Sequence, residues 1–355
     1  MENVRPLPGR GSAIHPPNRF EGRTRAVALD VIDPDDPGRH PATQFLPDHS
    51  RSVVTENQSP DVGFRFSLNP YRGCEHGCAY CYARPTHEFL GFDAGLDFES
   101  RITVKHDAPR LFRGFLARDE WEPEPVALSG VTDPYQPCER EFGITRGCLE
   151  VAAAAGQPVA VVTKSPLVLR DLDVLGPKAA RRLAHDNVSV TTLDPKLARA
   201  MEPRAGSPAA RLRVIRELSA AGVPVRVLVA PVIPGLTDHE LPAILAAVKE
   251  AGATAARYVL LRLPLAVADV FLDWLGRTLP DRRDKVVARI RDARDGGLNH
   301  STFGRRMVGS GEMAGQVAAL FRVFARRHGL DGDLPPFDPS HFRRPPDARG
   351  QGRLF

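Results

Sequence analysis

Six short apolar runs restrict this chain more than any other feature. They are GFRFSLN (63–69), PVALSGV (125–131), PVAVVTK (158–164), NVSVTTL (187–193), VPVRVLVAPVI (223–233) and ARYVLLRL (256–263). Near-continuous β-branched runs, rather than strict alternation, predict parallel strands buried on both faces. The stretches between them carry helix signals. SPAARLRVIRELSAAG (207–222) opens with Ser207 as cap and Pro208 at the first helical position, and Leu212, Ile215 and Leu218 predict one buried stripe. TDHELPAILAAVKEAG (237–252) predicts a capping box from Thr237 to Glu240. ITRGCLEVAAAAG (144–156) and LAVADVFLDWLGRTL (265–279) supply two more helices.

Six strands, each followed by a helix, form a chain of right-handed crossovers. The expected fold is α/β: a partial parallel (β/α)6 barrel with an irregular N-terminal segment and a helical C-terminal extension. The expected divisions are an irregular, partly disordered segment (1–60), the barrel core (61–280), the helical extension (281–330) and a Pro/Arg-rich tail (331–355). In such a fold the loops after the strand C-termini build the active site.

The loop after the first strand carries three of the five cysteines, in NPYRGCEHGCAYCYARP (69–85). An odd number of cysteines, three of them crowded together, reads as a reduced metal-binding protein rather than a disulfide framework. Cys74, Cys78 and Cys81 can wrap one inorganic centre that needs a fourth ligand. Zinc completed by His76 or a distant residue is one reading. A four-iron cluster with one iron open is the other, and an open position is what separates catalytic from structural metal sites. Cys138 and Cys148 read as buried or loop thiols.

The remaining composition excludes other classes. No apolar run approaches the roughly 20 residues a membrane span needs. The first residues lack an apolar signal core, so a cytoplasmic protein with no membrane association is expected. Net charge is +5 with a pI of about 9.1. That excess permits nucleic-acid binding and equally fits a solvated surface with a basic tail.

Cys-x3-Cys-x2-Cys after the first strand, with aromatic Tyr80 before the last cysteine, resembles the signature of the radical S-adenosylmethionine (SAM) superfamily. The resemblance implies a [4Fe-4S] cluster, SAM chelated through its amino and carboxylate groups, and an external electron donor of flavodoxin or ferredoxin type. It implies reductive cleavage of SAM to a 5′-deoxyadenosyl radical, which abstracts hydrogen from a substrate. Tyr80 would adjoin the cofactor. Ser129, Gly130, Thr132 and Asp133 stand where the family sets a glycine-containing segment against the methionine amino group; the common Gly-Gly-Glu form is absent. Lys164 would neutralise the methionine carboxylate. Thr191 or Thr192, Glu202 and Arg204 would hold ribose or carboxylate, with the fifth strand beside the adenine. Each has an ordinary counterpart: a strand-ending turn at Asp133-Pro134, a solvated lysine, threonines present for β-propensity, a helix broken at Pro203.

The run continuing through TDPYQPCER, VTKS, SVTTLD and MEPR to VLVAPVIPGLTD resembles the spore photoproduct lyase branch over roughly residues 60 to 265. Uncharacterised bacterial relatives of the lyase share the FGRRMVGSG-type segment. In the lyase a tyrosine directly after the third cluster cysteine assists, and a cysteine near the end of the second strand returns hydrogen to the repaired thymine. The tyrosine is present as Tyr82. The cysteine is not: that stretch reads Gly130-Val131-Thr132-Asp133, and Cys138, the candidate substitute donor, lies beyond Pro137 and would serve only if the DPYQPC loop folds back over the cavity. Lyase-like repair is therefore in doubt, and the substrate is left open, with DNA or a nucleotide as one class. Arg262, Arg305 and Arg306 are candidates to hold it. The alternative is a non-enzymatic iron–sulfur or zinc protein that senses redox state or binds nucleic acid.

Overall fold

The computed structural model describes residues 9–21 and 42–346. Among these described residues ten strands run β1 (Gln44–Pro47), β2 (Val54–Glu56), β3 (Phe66–Leu68), β4 (Tyr71–Arg72), β5 (Arg101–Val104), β6 (Val126–Leu128), β7 (Val159–Thr163), β8 (Ala184–Ser189), β9 (Val225–Val232) and β10 (Ala255–Leu260). The larger sheet has the order β10-β9-β8-β7-β6-β3-β2. Its six strands from β3 to β10 pair in parallel and in sequence order, while β2 joins β3 antiparallel. This is a mixed α/β fold built on a partial parallel barrel, as expected. A second sheet, β1-β5-β4, lies beside it.

The helices are α1 (Leu96–Ser100), α2 (Ala108–Leu116), α3 (Glu139–Phe142), α4 (Ile144–Ala154), α5 (Leu172–Ala180), α6 (Pro195–Met201), α7 (Pro208–Ala220), α8 (Leu241–Glu250), α9 (Val267–Thr278), α10 (Arg283–Asp292) and α11 (Gly311–Arg327). Helix α7 forms as its sequence dictates. The Ser207 side chain accepts from the Ala210 amide, Pro208 takes the first turn, and Val214, Ile215 and Leu218 are buried. The main core lies between sheet and helices and holds Val126, Leu128, Val159, Val161, Val188, Val225 and Val227.

Burial alternates along β7 and β9 rather than covering both faces. The half-exposed positions, such as Val162, Leu228 and Ala230, border a cavity inside the barrel. The hollow supplies the period-2 pattern that a filled barrel would lack.

Other differences have local causes. The fourth strand is Ala184–Ser189, earlier than the 187–193 run. Its polar start hid it: the Asn187 side chain donates to the Val161 carbonyl at 3.0 Å, and His185 stacks on Phe337 at 4.0 Å. The Thr237–Glu240 capping box does not form. The Thr237 hydroxyl accepts from the Ile233 amide, and Glu240 accepts from Thr192 Oγ1 and the Leu193 amide. Strands β1 and β2 fall in the stretch read as irregular. The described part of the C-terminal tail packs on the core: the Arg343 amide donates to Ala155 O, the Asp338 amide to Arg182 O, and Asp333 pairs with Arg257.

Candidate functional site at the strand C-termini

The cysteine loop is fixed before any ligand is considered. Gly73 and Gly77 adopt φ +78° and +65°, which favours glycine. At Gly77 there is also no room, since a Cβ would meet a Glu99 carboxylate oxygen at 2.6 Å. The Cys74 amide donates to Phe98 O at 2.9 Å, and the Ala79 amide to Met201 O at 3.0 Å. Beneath the loop, fully buried Arg84 donates to Cys78 O through Nε (3.1 Å) and a terminal nitrogen (2.8 Å), and to the carbonyls of Ala94 and Gly95. Glu99, also buried, pairs with Arg84 and accepts from the amides of Gly11 and Ser12. A buried charge persists only when paired and hydrogen-bonded, and this pair is both.

Cys74, Cys78 and Cys81 all line one cavity of ≈ 500 Å³ at the C-terminal ends of the strands. Burial raises all three thiols above the ordinary range, and the neighbouring thiols reinforce this for Cys74. As thiolates, three such sulfurs are costly unless a cation lies between them. Soft donors around an electropositive centre, open toward a cavity, fit a metal cluster with one position unfilled.

The same cavity is lined by Tyr80, Tyr82, Ser129, Gly130, Thr132, Asp133, Lys164, Arg262 and Arg306. Ser129 and Gly130 take φ 145° and 127°, a strained turn directly after β6. Asn69 holds it by accepting from the amides of Val131 (3.0 Å) and Thr132 (3.3 Å). Asp133 accepts from Thr163 Oγ1 and the Lys164 amide, both at 2.7 Å, and from the Tyr135 amide at 2.9 Å, and His76 lies 3.4 Å away. Burial holds His76 below its usual pKa despite Asp133. The Lys164 ammonium has no hydrogen-bond or ion-pair partner among the described residues, although it lines the cavity.

Five expected residues lie off the cavity lining, and a sixth is exposed. Glu202 is a buried hub: it accepts from Tyr80, from Thr191 Oγ1 at 2.9 Å and from Arg211. Burial opposes its ionisation, but the charges of Arg211 and Lys164 and the Tyr80 hydroxyl bring its pKa down to about 2. Thr191 belongs to that hub, and Thr192 is bonded to Glu240 at 2.6 Å. Arg204 pairs with Glu75 at 3.0 Å behind the cysteine loop, and Glu75 also accepts from the Cys138 amide at 2.7 Å. Cys138 itself is buried in the main core, as is Cys148. Arg305 points to solvent from the loop before α11. Glu202, Thr191, Thr192 and Arg204 are thus spoken for by the protein, because the end of α6 packs under Tyr80 rather than over the cavity. Asn69, Arg84, Glu99 and Arg211 escaped the sequence reading. Only Arg84 carried a local signal, its place three residues after the third cysteine.

The Radical SAM superfamily model matches residues 68–248, which run from the end of β3 through the cysteine loop to β9 and α8. An uncharacterised protein of Mycobacterium tuberculosis is 39% identical over 231 residues, covering 64% of this chain and 67% of its own. One from Methanocaldococcus jannaschii is 27% identical over 184 residues, covering 52% of this chain and 66% of its own. Among solved structures, spore photoproduct lyase complexed with dinucleoside spore photoproduct superposes with a TM-score of 0.55 at 15% identity, covering 80% of this chain and 79% of the lyase. That similarity is one of fold. With three cysteines facing a barrel cavity and the family model matching half of the chain, from the cysteine loop through β9, the chain belongs to the radical SAM superfamily.

Proposed function

We propose that this protein is a SAM-cleaving enzyme that acts by hydrogen abstraction on a nucleic-acid or nucleotide substrate, and that it is not a photoproduct lyase. One observation carries the reading: three cysteines, an unpartnered lysine and a strained backbone turn meet in one cavity at the strand ends. Cys74, Cys78 and Cys81 would hold a [4Fe-4S] cluster at the cavity wall. Bound there and reduced, it would supply the one electron that splits SAM into methionine and a 5′-deoxyadenosyl radical, which takes hydrogen from the substrate.

The chain's own residues do the positioning. Lys164 takes the methionine carboxylate, since its ammonium is otherwise unpaired in a partly desolvated site. The backbone of Ser129 and Gly130, with Thr132, borders the amino end. Asp133 shapes this wall by fixing the Lys164 amide and Thr163. The apolar residues Val162, Leu228 and Pro231 exclude water from the radical's path. The electron arrives from a flavodoxin- or ferredoxin-type donor in the reducing cytoplasm. The substrate class draws support from the fold neighbour, which is complexed with a dinucleoside photoproduct, and from the basic balance of the chain.

The test is anaerobic reconstitution followed by dithionite and SAM. Slow release of 5′-deoxyadenosine without substrate is expected. A protein that binds iron and sulfide but never cleaves SAM would overturn the proposal in favour of a redox sensor.

A further inference from the structure

The end of the cavity beside Tyr82 carries more positive charge than its own acids balance. Arg262, Arg294 and Arg306 cluster there, and Asp61 is the carboxylate among them. Arg294 is buried and fully engaged, donating to the carbonyls of Leu260, Leu261, Arg305 and Arg306. Arg306 is likewise committed, to Asp61 at 2.5 Å and to Ser59. Arg262 differs. It leaves β10, lines the cavity, and lies over the Tyr82 ring with 4.5 Å from guanidinium carbon to centroid. Among the described residues it has no hydrogen-bond or ion-pair partner, so the donors of a partly buried guanidinium face the open cavity.

Such a group is stable where an anion completes it. Packing over a tyrosine ring holds the guanidinium in place at the cavity wall, and a guanidinium so held is suited to bidentate recognition of an oxyanion. The site already in use for SAM has its own cation in Lys164. From this geometry we infer that Arg262 is the anchor for a phosphate group of the substrate, seated next to Tyr82 and the cysteine loop. The inference rests on the proposed nucleotide class and narrows it: the phosphate enters the cavity instead of staying on the outer surface. Arg306 and Arg294 hold the local potential positive, which strengthens the attraction without touching the ligand.

The experiment uses reconstituted, SAM-loaded protein titrated with thymidylyl-thymidine, thymidine 5′-monophosphate and the uncharged methylphosphonate of the dinucleotide. At least one phosphorylated ligand should bind, and Arg262→Gln should weaken it by roughly ten- to a hundredfold. Arg262→Lys should recover part of the loss. The methylphosphonate should bind wild type and Arg262→Gln alike. On the wild type alone, binding of the charged ligand should weaken with salt while the methylphosphonate does not, which keeps the test independent of how the variants fold. Preference for the dinucleotide assigns a phosphodiester, and preference for the monophosphate a free nucleotide. Equal binding of charged and neutral ligands, or no binding of either phosphate, overturns the assignment. Release of 5′-deoxyadenosine by the wild type is read separately, so a failed anchor is distinguishable from a failed radical enzyme.

Discussion

The phenol of Tyr82 donates to the carbonyl of Gly130 at 2.7 Å. This bond ties the residue after Cys81 to the strand end where the resemblance to the lyase calls for a thiol. Gly130 has no side chain, and its φ of 127° strains any L residue placed there. Cys138, the nearest thiol in sequence, is buried in the core and absent from the cavity lining. Among the described residues, Cys74, Cys78 and Cys81 are the only thiols on the cavity lining, so no further thiol stands there to return hydrogen to a repaired thymine. We therefore expect no multiple turnover of dinucleotide spore photoproduct to intact thymidylyl-thymidine by reduced enzyme with SAM. Catalytic thymine recovery, measured by chromatography, would refute this; if Cys138→Ala then stopped it, that loop must open.

The proposed cluster ligands are the three cysteines that line the cavity. Replacing Cys74, Cys78 or Cys81 by Ala should abolish 5′-deoxyadenosine formation and lower iron from about four per chain. Cys138→Ala and Cys148→Ala should keep both. Iron loss from Cys148→Ala, in a variant shown to be folded by circular dichroism, would put the ligand assignment in error.

Lys164→Ala should keep the cluster and weaken SAM. Loss of one charge-assisted contact costs about 1.5–3 kcal/mol, or roughly tenfold to over a hundredfold in affinity. Equilibrium dialysis with labelled SAM measures it. By contrast, Arg204→Ala should leave SAM affinity within about threefold of wild type, because Arg204 faces Glu75. A reversal of these two results would move the carboxylate site.

The strands and the three cysteines were legible because each is a local pattern: apolar runs, turn residues, fixed spacing. What escaped depended on partners distant in sequence. Strands β1 and β2 are short and mostly exposed, and they exist through pairing with β5 and β3. Glu202 looked like a ligand from its place after the fourth strand, yet Arg211 and Tyr80 claim it. Glu240 looked like a cap and instead holds the Thr192–Leu193 turn. A polar side chain has several local uses, and only packing chooses among them.

The Arg84–Glu99 pair supports the cysteine loop from below, so its loss should appear in both stability and cluster retention. Glu99→Gln leaves the Arg84 charge buried without its counter-ion, at a cost of about 3–5 kcal/mol. Thermal denaturation should shift downward, and iron should leave faster under a chelator. Lowered stability with unchanged chelation kinetics would confine the pair to the fold.

Asp186 offers a pH test of the barrel itself. It lies in β8 between Val161 of β7 and Val225 of β9, is fully buried, and neither carboxylate oxygen has a hydrogen-bond partner. Burial, with Asp133 adding to it, pushes its pKa well above the carboxylate range. The native state therefore keeps the proton that the unfolded chain releases near pH 4. With more protons bound when folded, stability falls as pH rises from about 4 toward the raised pKa, by up to about 1.4 kcal/mol per pH unit. Asn has the same shape and cannot ionise. Asp186→Asn should match wild type near pH 4 and exceed it increasingly between pH 5 and 7.5 in urea unfolding. A difference that stays constant across this range, or a variant less stable at pH 7.5, would mean that Asp186 is charged in the native barrel.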